Sequence, residues 1–374
     1  MSLALALAAL LAWGVLLLGR GMFWLAREDD RDAPALPDPA RWPAVAVLIP
    51  ARDEAATIGP VVRALLAQDY PGRFSVTVVD DRSTDGTGAL AAAAGARVVP
   101  GGARPPGWSG KLNALRQGLE AVAGEDHALL LLTDADILHA PDSLRLLVRR
   151  MEHGRLDLVS LMARLRCAPR AERWTVPHFV FFFAMLYPFR WANDPRARTA
   201  AAAGGCVLLR RATLEARGGL APIRGRIIDD CALAALVKRG GGRTWLGLTE
   251  RVRSLRAYDD LSAIRAMVAR TAYAQLGYSP LVLAGCVAGM ALVYLAPPLL
   301  ALFGAGWARG LGALSWALMA VALAPMLRRY GLSPLRGLGL PLTAGLYLLW
   351  TLDSARAEWA GRGGFWKGEA LGRR

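Results

Sequence analysis

Residues 2–19 hold no charged side chain, and the first arginine comes at Arg20. At 1.5 Å per helical residue, this run approaches the ~30 Å depth of a hydrocarbon layer and predicts a membrane-crossing helix. A cleaved signal peptide would carry positive charge before its apolar run, whereas Arg20, Arg27 and Arg31 come after it. The run reads as a signal anchor, with the N-terminus outside and the chain beyond Arg20 in the cytoplasm. Apolar character returns near the other end. Residues 281–303 are uncharged and long enough to span, with Pro297 and Pro298 predicting a kink. Residues 311–327 follow, stopped by Arg328 and Arg329, and residues 337–352 suit either a short third span or an interfacial or re-entrant helix. Three C-terminal spans after the N-terminal one would put Arg356, Arg362, Lys367, Arg373 and Arg374 outside, against the positive-inside rule. Two C-terminal spans and a surface helix would keep them inside.

Between residues 43 and 276 the pattern changes. Apolar, often β-branched runs at 44–49, 74–79, 96–99, 129–132 and 156–161 predict strands, and residues 56–68 and 86–94 predict helices between them. This alternation predicts an α/β fold built on a mixed, mostly parallel sheet with helices on both faces. The expected layout is an N-terminal transmembrane anchor (1–25), a sheet domain (40–276), a C-terminal transmembrane region of two or three segments (280–352) and a basic tail (353–374).

Ligands of such sheets bind beyond the carboxyl ends of the strands, and acids stand there. The first strand runs into Pro50-Ala51-Arg52-Asp53-Glu54, the second into Asp80-Asp81-Arg82-Ser83-Thr84-Asp85-Gly86, and the run at 129–132 into Thr133-Asp134-Ala135-Asp136. Asp85 and Thr87 read as turn and cap residues. Asp134 and Asp136, one residue apart after an uncharged strand, need a cation to offset their repulsion, and oxygen ligands suit Mg²⁺ or Mn²⁺. Composition narrows the partners. Apolar residues make up 54% of the chain and the net charge is +15, which fits either a nucleic-acid partner or an anionic membrane surface with anionic substrates. Many arginines flank the apolar runs and no recognised nucleic-acid motif appears, so no nucleic-acid partner is expected. The uncharged run at 281–303 argues for anchoring rather than transport. Cys167, Cys206, Cys231 and Cys286 form no CxxC pair, which argues against a zinc site or disulfide framework and fits a reducing compartment.

Five stretches then carry a resemblance: VAVLIPARDEAATIG, VVDDRSTDGT, the DAD at 134–136, GGCVLLRRATLEARGG at 204–219 and DDCAL at 229–233. In this order they resemble the inverting family 2 glycosyltransferases, which have the GT-A nucleotide-diphospho-sugar transferase fold. The flanking helices and GWSGKLNAL at 107–115 are similar to the hopene-associated members, relatives of the ceramide and carotenoid glucosyltransferases. The resemblance implies a UDP-sugar donor, a divalent metal, a lipid acceptor and a multi-pass protein of the cytoplasmic membrane with its catalytic domain in the cytoplasm. It implies that Pro50, Ala51 and Glu54 lie against uracil and ribose, that Asp81 hydrogen-bonds the uracil, and that Asp134 and Asp136 hold the ribose and the metal. Gly204 and Gly205 would let backbone approach the sugar or acceptor, and Asp230 would be the catalytic base.

Lys111 suits phosphate contact or a solvated helix start, Arg270 suits the diphosphate or an exposed helix face, and Asp229 reads as the cap of a helix at 231–237. The processive members carry QxxRW where this chain has Met267-Val268-Ala269-Arg270-Thr271, so transfer of a single sugar is expected. A polyprenyl-phosphate sugar synthase is the runner-up. The aromatic run at 174–191 suits a lipid-lined groove at the membrane interface or a core helix of the sheet domain, with His178 packed inside it.

Overall fold

The chain is described from a computed structural model that covers residues 2–363, with the backbone of 365–366 and 369–370. Lys367, Arg373 and Arg374 of the expected basic tail lie outside the described residues.

The sheet grows from β1 (Val45–Ala51), every residue of which is buried. Its run of Val, Ala, Leu and Ile suits a central strand covered on both faces. It pairs in parallel with β2 (Phe74–Asp80) on one side and β4 (Leu129–Thr133) on the other, and β2 pairs in parallel with β3 (Arg97–Pro100). Beyond β4 the direction alternates. β7 (Cys206–Arg210) is antiparallel to β4 and to β6 (Leu158–Arg164); β6 runs parallel to β8 (Thr244–Ser254), whose outer neighbour is the antiparallel β5 (Ile137–His139). The eight-stranded order is β3-β2-β1-β4-β7-β6-β8-β5. The alternating pattern did not reveal β5, β7 or β8, because nothing local marks a strand that returns against its neighbours.

Side-chain alternation along the strands builds two core layers. Val45, Val47, Ile49, Leu129 and Leu131 face α1 (Ala55–Leu66) and α4 (Ser143–Gly154), which bury Ile58, Val62, Leu144 and Met151. Ala46, Leu48, Leu130, Leu132 and Val207 face α3 (Gly110–Ala121) and α6 (Asp229–Arg239), which bury Leu112, Leu115, Leu233 and Val237. The short helices α2 (Thr87–Ala93) and α5 (Arg211–Glu215) complete this unit.

The sheet unit comprises Glu28–Arg166 and Trp191–Ala257. A second compact unit gathers residues 2–27, Cys167–Arg190 and 258–363. It takes in the stretches 167–190 and 258–276, which the alternating pattern assigns to the sheet domain, because their helices pack among apolar helices. Three of its helices, Ser2–Gly19, Pro280–Phe303 and Gly306–Arg329, are long and apolar enough to cross a membrane. They leave large apolar side chains exposed, among them Leu18 at 75%, Leu281 at 85% and Trp307 at 81%, as a lipid-facing surface would. The expected irregularity at Pro297 is a π-helical turn, Ala291–Leu295, just before the pair of prolines, where a missing N–H and a ring clash break the regular ladder. The last helix, Leu340–Trp359, carries Asp353, Arg356 and Glu358 and is not among the three. The aromatic run forms the helix Arg170–Leu186, in which Glu172 is fully buried and accepts from the Ala168 and Tyr258 backbone N–H at 2.9 and 2.8 Å. His178 is fully buried in the same helix, packed as expected.

Asp85 joins the loops after β1 and β2. Its carboxylate accepts from the N–H of Ala55, the first residue of α1, at 2.9 Å and from Thr87 N–H at 3.0 Å. Asp85→Ala is therefore expected to lower the thermal midpoint by roughly 2–4 °C, the shift that a lost cap of about 1 kcal/mol produces in a unit of this size. A melt followed by tryptophan fluorescence checks it, and an unchanged midpoint would deny the cap.

Candidate active site

Parallel pairing brings the carboxyl ends of β1, β2 and β4 to one edge of the sheet. β7 runs the other way, so its first residue, Cys206, lies opposite Thr133 and carries Gly204 and Gly205 to the same edge. The first two loops are laced together. Asp53, at φ 50°, accepts from Thr84 N–H at 2.8 Å, and its own N–H donates to Ser83 Oγ at 3.0 Å. Asp81 is 2% exposed and donates its N–H to Ala51 O at 2.8 Å. Its carboxylate lies 3.7 Å from Arg52 Nη1 and 3.3 Å from Arg82 Nε, and Oδ2 accepts no hydrogen bond among the described residues. A Cβ at Gly101 would stand 2.8 Å from Asp80 O and Asp81 Cα, so glycine there lets the chain pass behind the acid.

The paired acids after β4 find their cations within the protein. Asp134 Oδ1 is 2.7 Å from Lys111 Nζ, and Asp136 Oδ2 accepts from Arg256 Nε at 2.7 Å. Arg256 Nη2 also donates to Glu54 Oε1 at 2.7 Å. The repulsion that the sequence assigns to a metal ion is thus already offset by two side chains. Arg256 carries no sequence signal, because it follows β8 in a motif-free stretch. Burial raises the Asp136 carboxyl above the usual range even with the Arg256 guanidinium pulling it down. Lys111 is no solvated helix start. Its side chain is 20% exposed and lies 3.4 Å from Asp229 as well. Burial works against its charge, yet Asp134, Asp229 and Asp230 together hold the ammonium well above its ordinary pKa.

Asp229 and Asp230 open α6 as its first two residues, and the N-cap is Ile228, so Asp229 does not cap the helix; it pairs with Lys111 instead. Asp230 accepts from Gly204 N–H at 2.8 Å and Cys231 N–H at 2.7 Å. Burial and the neighbouring Asp229 charge push its carboxyl up to about 6, against the pull of Lys111 and the two N–H groups. A Cβ on Gly204 would meet Lys111 Nζ at 3.1 Å and Asp230 Oδ2 at 3.3 Å, which explains why glycine stands there. Behind the turn, the Thr133 hydroxyl donates to Gly205 O at 2.8 Å, so its 2.9 Å contact with His139 must receive the Nε2 proton. Burial lowers His139 to about 4, which keeps that ring neutral.

Pro50, Lys111, Thr133, Asp134, Gly204 and Asp230 line one small cavity. Ala51 is buried in β1 and offers only backbone to the loops. Arg270 is exposed on the helix Leu261–Gln275, which belongs to the other unit. Asp134 and Asp136 supply hard oxygen donors that fit Mg²⁺ or Mn²⁺ when a diphosphate completes the coordination. Among the described residues no group of three or more His, Cys, Asp or Glu side chains is preassembled for a metal.

A mixed sheet with acids gathered at this edge defines a glycosyltransferase of the GT-A type. The chain belongs to the family described as "Glycosyltransferase like family 2", whose model matches residues 43–274, well over half of it. A mannosyltransferase from Pyrobaculum calidifontis, solved with GDP-Man and Mn²⁺, superposes with a TM-score of 0.59 at 21% identity, covering 97% of this chain and 100% of that one. Glucosyl-3-phosphoglycerate synthase from Mycobacterium tuberculosis, solved with Mn²⁺, UDP-glucose and phosphoglyceric acid, gives 0.40 at 22% identity over 63% of this chain and 79% of that one. A beta-monoglucosyldiacylglycerol synthase from Synechocystis sp. is 46% identical over 50 residues, 13% of this chain and 10% of that relative's length. The match therefore spans about a tenth of the curated relative.

Lys111→Met would leave Asp134, Asp229 and Asp230 without their shared cation. It is expected to destabilise by roughly 2 kcal/mol at pH 8, less than for a fully buried pair because Asp134 is 35% exposed. Without the lysine the Asp230 carboxyl rises further, so the loss must shrink as pH falls and it takes up a proton. Denaturation at pH 8 and pH 5 checks this; an equal loss at both would remove Lys111 from the charge balance.

Proposed function

We propose that the protein is a membrane-bound inverting glycosyltransferase that moves one sugar from a UDP-sugar to a hydroxyl of a lipid acceptor, hopanoid-like or related. The observation that carries this reading is the arrangement around Lys111: a partly exposed acid, Asp134, on one side, and a half-buried carboxylate kept unusually basic, Asp230, on the other.

In this reading Asp230 takes the proton from the acceptor hydroxyl as its oxygen forms the new bond to the anomeric carbon. The bond from that carbon to the diphosphate breaks with the electron pair leaving on the diphosphate. Lys111 stands where it can offset that charge. Asp134 and Asp136 would hold Mg²⁺ or Mn²⁺, which supplies charge stabilisation to the diphosphate. The buried Asp81 Oδ2, without a donor of its own, suits the imide N–H of uracil, and Pro50 and Glu54 would border the base and ribose. A lipid acceptor is supported by the three apolar helices with their exposed leucines and by the lipid-glycosylating relative. Three spans that begin outside leave the tail inside, which supports a cytoplasmic catalytic domain in the cytoplasmic membrane. Residues 2–19 would be the anchor and residues 280–329 the C-terminal spans, with Leu340–Trp359 as a surface helix.

Membranes containing the protein, incubated with labelled UDP- and GDP-sugars and extracted lipids, test the reading. A labelled lipid formed from a UDP-sugar, and lost with EDTA, is the expected result; no product from any donor, or product unaffected by EDTA, would overturn it. Asp230→Asn should lower kcat by about 10²-fold or more while leaving UDP affinity nearly unchanged, as the loss of a general base does. In the wild type kcat should fall as pH drops through about 6, where Asp230 takes up its proton and can no longer accept another. Near-normal turnover of Asp230→Asn would remove it from the chemistry. For the orientation, a single cysteine placed beside Asp85 in a background lacking the four native ones should resist impermeant thiol reagents in intact cells. Ready labelling would reverse the assigned sides.

A further inference from the structure

Arg256 is held at the donor site by its backbone. Leu255 N–H donates to Asp136 O at 2.8 Å, Ser254 lies opposite Ile137 in the ladder, and Arg256 N–H donates to Ser254 Oγ at 3.2 Å. The side chain is less fixed. It is 39% exposed, whereas those of the two acids it joins, Asp136 and Glu54, are 10% and 13% exposed. The guanidinium is shared between two carboxylates, its Nε–H going to Asp136 and an Nη2–H to Glu54.

We propose that Arg256 is a resident counter-cation, which a divalent metal must displace from Asp136 when it enters with the nucleotide diphosphate. This rests on the donor and metal reading above. Two nearly buried carboxylates side by side cannot lose their cation without a replacement. A hard divalent ion accepts the same oxygens and can replace it. The exchange favours metal and nucleotide arriving together. A metal alone adds positive charge beside the guanidinium that it pushes off Asp136, whereas a metal with a diphosphate brings phosphate oxygens that match that guanidinium. Arg256 would thus keep the site closed to free metal and then turn to the diphosphate.

The test is a titration of full-length detergent-solubilised protein with MnCl₂, following free Mn²⁺ by electron paramagnetic resonance, with and without UDP. Wild type should bind Mn²⁺ weakly alone and much more tightly with UDP. Arg256→Gln should bind Mn²⁺ alone about tenfold more tightly or better, the low end of the coupling for a close charge pair, and should gain less from UDP. Arg256→Lys keeps the charge and should stay near wild type. Equal or weaker Mn²⁺ affinity in Arg256→Gln overturns the role of Arg256 and leaves the donor reading standing. If that variant does not fold, wild type decides alone, and Mn²⁺ affinity indifferent to UDP overturns the proposal. Absence of Mn²⁺ binding in every protein, with UDP or without, overturns the metal-held donor along with it.

Discussion

Acidic side chains crowd the edge of this sheet, and the charge balance around Lys111 is the constraint on which the rest of the site depends. Its ammonium lies 2.7 Å from Asp134 and 3.4 Å from Asp229, and Asp230 adds a third negative charge to its field. An acid cluster this crowded and half removed from water is held together by a fixed cation. Lys111 follows the first residue of α3, whose N-cap Ser109 accepts from Leu112 N–H. The helix start therefore sets where the ammonium can stand, and the acids are arranged around it.

The same balance leaves Asp230 basic without making it neutral. Burial and Asp229 raise it; Lys111 and the N–H groups of Gly204 and Cys231 hold it down. Glycine at 204 matters because a side chain would press on both Lys111 and Asp230. The antiparallel course of β7 brings that glycine to the acids, and Thr133, neutral His139 and Gly205 O tie its loop to the turn that carries Asp134 and Asp136. Positioning and electrostatics thus come from one set of backbone contacts.

The helical unit is surfaced differently. Leu18, Leu281 and Trp307 stay exposed while polar groups turn inward: the indole of the buried Trp13 donates to Val293 O at 2.8 Å, and Glu172 spends both carboxylate oxygens on backbone N–H groups. That pattern is compatible with a hydrocarbon environment, which rewards apolar surface and leaves unpaired backbone unsatisfied.

By itself, the sequence determined the strands β1 to β4 and β6, the helices between the early ones, the acids at the strand ends and the apolar helices. Each of these is written locally, as a run of buried residues or a charge that ends it. Which acid meets which cation was decided only by tertiary structure. Asp229 looks like a cap in a linear reading, but the neighbour that claims it is Lys111, more than a hundred positions away. Arg256 reaches Asp136 only because β8 returns beside β5, and the helix carrying the aromatic run joins the apolar unit rather than the sheet. Hydrophobic periodicity reports how each segment is buried. It carries no information about which buried charges share a neighbourhood, because that depends on strand order and direction, which no single segment encodes.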